Sequence, residues 1–259
     1  LFSAKNASVY ASLHLSAYNH IHKGASPLGS CTIETGVLFN IIRAFTGATL
    51  GLRAVVFDYG MVLTGQPDAS AHEKLLNITG LPLDRFESLY WADRHAYDEG
   101  KLTGIGYWQK FLREAGLPPD QEKVEELNLW DIRMWTTENP AMIDWQSAIK
   151  QRGLLTAILS NMGYDVLTSV EREFDWIRRF DLLVWSCEVG VVKPHPAIYR
   201  HMLAELKTRP EETLFIDDKL PNVEAARALD IRAIQFSSVE RLREDLIATG
   251  LASELPLPA

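Results

Sequence analysis

The chain has 259 residues and a formal net charge of -8, with 47% hydrophobic and 23% charged residues. This length exceeds the usual single domain of about 100–200 residues, so a large domain or a domain with an insertion is expected, and the composition excludes disordered, collagen-like and low-complexity classes. The acidic balance argues against nucleic acid and anionic membranes as partners, but local phosphate binding stays open wherever a metal or a lysine supplies positive charge.

Residues 1–51 hold only four charges, Lys5, Lys23, Glu34 and Arg43, and show no sustained helical or strand period. They are expected to form an atypical, poorly ordered N-terminal extension, which leaves the remainder near -10. The most apolar early stretch, residues 37–52, is broken by Asn40 and Arg43 and is too short to span a bilayer. It also lacks the order of a signal peptide. Cys31 and Cys187 cannot build a disulfide framework and have no zinc-ligand spacing around them, which points to a reducing, cytoplasmic setting.

From Leu52 onward, short apolar runs read as buried strands at residues 53–58, 154–160, 182–186, 213–217 and 232–236. Helical stripes follow several of them, with Ile198, Met202 and Leu206 at four-residue spacing and Val239, Leu242 and Leu246 at three and four. Strands alternating with helices predict an α/β fold, a parallel sheet with helices on both faces. About 95 residues separate the first two strands, far more than one crossover needs, so an inserted all-helical domain is expected. Trp108, Phe111, Leu112 and Ala115 mark one of its helices, and breakers at Gly80-Leu81-Pro82, Gly100, Gly116 to Pro119 and Asn139-Pro140 divide it into roughly four. The expected divisions are an extension over 1–51, a catalytic core over 52–65 and 150–250, and a helical cap over 66–149.

In open α/β sheets ligands bind beyond the carboxyl ends of the strands. The first strand ends at Asp58, the second at Ser160-Asn161 and the fourth at Asp217-Asp218, while Lys193 follows the third. Each residue has a plain reading by itself: Asp58 as a helix N-cap, Asp217-Asp218 as turn residues, Lys193 as solvated surface, Ser160-Asn161 as a cap. Together, carboxylates at a crevice mouth suit magnesium, and lysine with a hydroxyl and backbone N–H groups suits a phosphoryl group. An aspartate beside a metal is also a competent nucleophile.

This order of residues resembles the four motifs of the haloacid dehalogenase (HAD) superfamily, over Leu52 to about Ile247. Residues 189–199 and 222–227 are similar to subfamily IA, in its branch of epoxide-hydrolase N-domains and α-glucose-1-phosphate phosphatases. The resemblance implies a HAD-like Rossmannoid sheet with a C1-type helical cap, and a hydrolase with Mg2+ as cofactor. It further implies that Asp58 attacks phosphorus, Ser160 binds the phosphoryl oxygens and Lys193 neutralises charge. Asp218 would bind metal, with Asp217 as a second or water-mediated ligand, the Gly60 carbonyl as another and Asn222 supporting the shell.

One departure stands out. Most phosphatases of this family carry a second aspartate two residues after the nucleophile as general acid and base, and here that position is Gly60. Its loss removes a contribution of typically 10²–10⁴-fold, so slow turnover or an easily departing group such as an anomeric or aryl phosphate is expected. The branch tolerates glycine there, which keeps activity in view. Asn161, Tyr90, Trp91, Arg94 and Tyr97 are the further candidates for substrate contact, and five tryptophans in the insertion read mainly as bundle core. The expected partner is a small phosphorylated metabolite, for instance a sugar phosphate, with no nucleic acid or membrane, bound by a monomer or homodimer. Two alternatives remain: a metal-independent 2-haloacid dehalogenase, which Asp217-Asp218 opposes by repelling a haloacid, and a weakly active binding or regulatory protein, motivated by Gly60.

Overall fold

The computed structural model describes residues 51–259, so the extension expected over 1–51 lies, except for Gly51, outside the described residues. Five strands, β1 (Ala54–Phe57), β2 (Leu155–Ser160), β3 (Leu182–Trp185), β4 (Thr213–Asp217) and β5 (Arg232–Gln235), form one sheet in the order β3-β2-β1-β4-β5. Every pairing is parallel, and β1 lies at the centre with Phe57 beside Ile158 on one side and Ile216 on the other. Residues of β1 are wholly buried because both faces of the sheet are covered.

The two faces separate by strand alternation. Val55, Phe57, Ile158, Leu214 and Ile216 join one apolar cluster, and Ala54, Val56, Ala157, Leu159 and Phe215 join another. The six cap and crossover helices that come first in the chain are α1 (Ala69–Thr79), α2 (Leu83–Ala92), α3 (Arg94–Asp98), α4 (Gly104–Ala115), α5 (Gln121–Met134) and α6 (Pro140–Gln151). They are followed by α7 (Tyr164–Glu173), α8 (Ser186–Val189), α9 (Pro196–Leu206), α10 (Leu220–Arg227) and α11 (Val239–Ala248). Ile198, Met202 and Leu206 of α9 and Val223 and Ala226 of α10 cover one face, while Trp145 and Ile149 of α6 and Leu242 and Leu246 of α11 belong to the other cluster.

The inserted cap comprises α1 to α5, five helices rather than four, because the chain breaks at Asp93 between α2 and α3. Its starts and stops follow local chemistry. Asp68 accepts from the N–H groups of Ser70 and Ala71 at the start of α1, and Gly80, in the left-handed region at φ 65°, ends it. Phe86, Tyr90, Tyr107, Trp108 and Phe111 fill the bundle.

The expected cap boundary at residue 149 needs correction. Helix α6 packs on the sheet: Trp145 meets Phe57 edge-on at 5.7 Å between ring centroids, and Gln146 donates to the Thr156 hydroxyl at 2.9 Å. Trp145 is thus a residue of the core domain, not of the cap. The two connections to the cap lie side by side, with Thr64 bridged to Glu138 and Gly65 N–H donating to Thr137 O at 2.8 Å. The core also continues past residue 250, since Trp145 donates to Pro256 O at 2.7 Å and Leu251 and Leu255 are buried.

Cap and core touch through small residues. The Ser186 hydroxyl donates to the Asp98 carbonyl at 2.5 Å and accepts from Met162 N–H at 2.9 Å, joining the two domains at one atom. Asp165 accepts from Gly104 N–H of the cap at 2.7 Å. At Gly163, which precedes α7, an added Cβ would lie 2.2 Å from Tyr97 Cζ, so the ring occupies the place of a side chain. Gly163→Ala is expected to destabilise the protein by about 1–3 kcal/mol through overpacking, read as a lower urea midpoint. An unchanged midpoint would show that the cap ring moves aside freely.

Candidate active site

The carboxyl ends of β1, β2 and β4 and the loop after β3 converge on one cavity of about 290 Å³, which Trp91, Arg94, Asp98 and Trp135 bound on the cap side. Asp58, Gly60, Ser160, Asn161, Lys193, Asp218 and Asn222 line it. The parallel sheet brings them together because adjacent strands end in register: Phe57, one residue before Asp58, pairs with Ile158 and Ile216, two and one residues before Ser160 and Asp217.

Lys193 is the hub. Its buried ammonium lies 2.8 Å from Asp58 Oδ1 and 2.7 Å from Asp217 Oδ2 and donates to Leu159 O at 2.8 Å, which uses all three N–H groups. Burial works against its charge, but the two carboxylates outweigh that and hold it above the ordinary lysine range. Asn161 fixes the loop that carries Lys193, accepting from its N–H at 2.8 Å and donating to its carbonyl at 2.9 Å. Asn161, expected to contact substrate, lines the cavity while its amide holds the lysine loop.

Asp58 presents two different oxygens. Oδ1 accepts from Tyr59 N–H at 2.7 Å and meets Lys193, while Oδ2 makes no hydrogen bond among the described residues. Burial pushes the Asp58 carboxyl up to about 7, with Lys193 pulling the other way and Asp217 and Asp218 adding to the rise. The Ser160 hydroxyl, buried at the end of β2, likewise makes no hydrogen bond among the described residues. After Asp58 the chain turns sharply: Met61 sits at φ 63°, a left-handed conformation for a residue with a side chain, secured by its N–H donating to the Thr64 hydroxyl at 3.0 Å.

Ligand oxygens of Asp58, Asp217 and Asp218 lie within 4.8 Å of one another, a hard-oxygen donor set that fits a divalent cation. The two neighbours differ in how far they are already used. Asp217 is fully buried and accepts from Lys193, from Lys219 N–H at 2.8 Å and from Asn222 Nδ2 at 3.0 Å on each oxygen. The Asp218 carboxylate lines the cavity and has no hydrogen bond among the described residues. Burial and the Asp217 charge raise it. Asn222 acts on Asp217, whose oxygens it holds in place.

On the cap side, the four aromatic and basic candidates divide. Trp91, 47% exposed, and Arg94 line the cavity. Tyr90 and Tyr97 do not, a correction to their expected role: both are buried in the cap core, Tyr90 donating to Asp131 Oδ1 at 2.7 Å and Tyr97 pressed on Gly163. Arg94 bonds Tyr90 and Asp131 through Nη1 at 2.8 and 2.9 Å and lies 3.4 Å from Asp98. Met61, Gln66, Asp98, Met162, Val166 and Lys219 also line the cavity and had no place in the sequence reading, and Trp135, one of the five tryptophans read mainly as bundle core, lines it too. Lys219 follows the acidic pair directly, and Asp98 stands four residues after Arg94, so both had a signal. Trp135 had none beyond its size. Cys187 is buried, and desolvation pushes its thiol up to about 11, away from nucleophilic use at neutral pH.

Both the sequence and the fold match known proteins. A family model of haloacid dehalogenase-like hydrolases matches residues 52–230. Bifunctional epoxide hydrolase 2 of Mus musculus is 34% identical over 232 residues, covering 81% of this chain and 41% of that protein, so the chain spans under half its length. A sesquiterpene phosphatase of Aspergillus oryzae is 34% identical over 190 residues, covering 71% of this chain and 90% of that one. In fold, the chain is similar to a HAD family enzyme of Bacteroides thetaiotaomicron, with a TM-score of 0.61 at 18% identity over 73% of this chain and 95% of that chain. With the motif residues gathered at the strand ends under a helical cap, the chain belongs to the haloacid dehalogenase-like hydrolases.

Proposed function

We propose that this hydrolase is a magnesium-dependent phosphatase that acts on a small phosphorylated metabolite through an aspartyl-phosphate on Asp58. The observation that carries this reading is the state of Asp58: one oxygen is held by Tyr59 N–H and Lys193, and the other is unengaged in a cavity that also contains the free Ser160 hydroxyl and Asp218. Lys193 orients the nucleophile and offsets the charge that reaches it. Ser160 and the backbone N–H groups after β2 are suited to the phosphoryl oxygens. Magnesium, when held by Asp58, Asp218 and the Gly60 carbonyl, supplies positive charge for a phosphate dianion that three carboxylates and one lysine lack. Asp217, filled with hydrogen bonds, acts on this set from behind. The same carboxylates disfavour a metal-independent dehalogenase, whose anionic substrate they repel.

The apolar lining supports a narrower class of substrate. Met61, Met162 and Val166 of the core and Trp91 and Trp135 of the cap give the cavity an apolar, partly aromatic wall. A phosphate ester of an apolar alcohol or phenol fits this wall better than one of a polyhydroxylated sugar. The similarity to a sesquiterpene phosphatase supports the same direction.

Three measurements test the reading. With p-nitrophenyl phosphate, phosphate release is expected with magnesium, not without it, and not from Asp58→Asn; release that persists in that variant would remove the covalent route. Magnesium at a hundredfold excess over its Kd is expected to stabilise the protein by about 2.7 kcal/mol, a rise in Tm of roughly 5–10 °C. The rise should vanish in Asp218→Asn, and an undiminished rise there would shift direct coordination to Asp217. Trp91→Ala is expected to raise KM for an aryl phosphate roughly two- to tenfold, the scale of one lost aromatic contact, and an unchanged KM would take Trp91 out of the substrate site.

A further inference from the structure

The phosphatase reading leaves one chemical demand unmet. An alcohol leaving as alkoxide needs a proton, and position 60 has no side chain to give one. The space for such a side chain exists: Gly60 has φ -64° and ψ 134°, and an added Cβ would meet only Trp135 Cζ3, at 4.0 Å. The acid must therefore come from another wall of the cavity, if the chain has one.

The titratable side chains on that wall leave a single candidate. Asp58 is the nucleophile, Asp218 belongs to the metal cluster, and the three Lys193 N–H groups are committed. The Tyr59 hydroxyl donates to Trp135 O at 3.1 Å and is raised far above its ordinary range by burial. Lys219 is exposed at the rim, with its ammonium 5.7 Å from the centroid of the Trp91 ring. Asp98 remains. Its side chain is 10% exposed, it lines the cavity from the cap, and Oδ1 is buried with no hydrogen bond and only the Arg94 Nε ion pair at 3.4 Å.

We propose that Asp98 is the general acid and base of this site, a cap-borne carboxyl that does the work for which position 60 has no side chain. The assignment rests on the phosphatase reading. In-line displacement places the leaving oxygen on the side of phosphorus away from Asp58, which is the side the cap covers. The Asp98 backbone is fixed there by the Ser186 hydroxyl, which donates to its carbonyl at 2.5 Å. Burial raises the Asp98 carboxyl above the ordinary range, Arg94 lowers it, Asp131 raises it again, and Lys219 and His95 lower it; Cys187, with its thiol kept protonated by burial, also faces it. A raised carboxyl retains a proton to give.

The two half-reactions then balance. As the bond from Asp58 to phosphorus forms, the bond from phosphorus to the leaving oxygen breaks, that oxygen keeps the electron pair, and the Asp98 proton passes to it to make a neutral alcohol. In the second, a water oxygen bonds phosphorus, the bond to Asp58 breaks, and the water's proton passes to the Asp98 carboxylate. Both carboxyl groups return to their starting states.

The test compares an alkyl phosphate, which needs the proton, with p-nitrophenyl phosphate, whose phenolate leaves without it. Asp98→Asn keeps the shape of the side chain, and its thermal unfolding checks that the fold is intact. We expect kcat/KM on the alkyl ester, which reports the first half-reaction, to fall by about 10²–10⁴-fold, with that of p-nitrophenyl phosphate affected far less, while the second half-reaction, common to both esters, slows for both. Gly60→Asp added to Asp98→Asn fills the open space with a second acid, and alkyl turnover is expected to recover. An alkyl-to-aryl ratio of kcat/KM equal in wild type and Asp98→Asn overturns the assignment. Wild type that hydrolyses neither ester overturns the phosphatase reading itself.

Discussion

The site is organised around one buried positive charge. Lys193 lies within 2.8 Å of both Asp58 and Asp217, and its ammonium has no contact with bulk water. Two carboxylates and an ammonium taken out of water face a desolvation penalty of several kcal/mol per ion, offset only by close geometry and further hydrogen bonds. The further bonds are present: Leu159 O for the lysine, Tyr59 N–H for Asp58, Asn222 and Lys219 N–H for Asp217. They require the ends of three strands to stop level with one another, which parallel pairing with β1 at the centre provides. The same strand ends that satisfy the lysine thus fix where Asp58 stands.

The charge balance of the cluster also explains why one acidic residue is free and its neighbour is not. Asp217 spends both oxygens on Lys193, Asn222 and Lys219 N–H, and Asp218 spends none. A cation entering the cavity would take the unspent oxygens of Asp58 and Asp218 without displacing the lysine. Adjacent residues of identical chemistry thus differ in what their oxygens touch: Asp217 ends β4 and is buried, and Asp218 lines the cavity.

Most of this arrangement was legible in the sequence, for identifiable reasons. A strand buried on both faces must be apolar throughout, so Ala54 to Phe57 and Leu214 to Ile216 stood out, and the aspartates that ended them were conspicuous. The helix α6 was misplaced because Met142, Ile143, Trp145 and Ile149 announce an apolar stripe without saying which surface receives it. The paired connections at Thr64 and Glu138 decide that, and such pairing between residues 74 positions apart leaves no local trace. Tyr90 and Tyr97 failed as substrate contacts for a similar reason: an aromatic residue on a cap helix serves the bundle core or the cavity according to a rotation about the helix axis, and the break at Asp93 sets that rotation. Asp98 was passed over because a carboxylate four residues from an arginine reads as an ordinary helical ion pair.

That pair shapes what the cavity accepts. Arg94 looks like a receptor for a second anionic group, yet Asp131 and Asp98 flank it and four aromatic rings lie within 5.9 Å of its guanidinium carbon. With both carboxylates ionised the three groups sum to one negative charge, and with Asp98 protonated they sum to zero. Neither state attracts a carboxylate or a second phosphate. On the proposed function, an anionic group is therefore met by Lys193 at the floor of the cavity and Lys219 at its rim, while Trp91 and Trp135 offer apolar contact. On that reading the substrate's uncharged end rests against the cap, and the acidity of the chain becomes local: three carboxylates gather at the strand ends, and Arg94 offsets those of the cap.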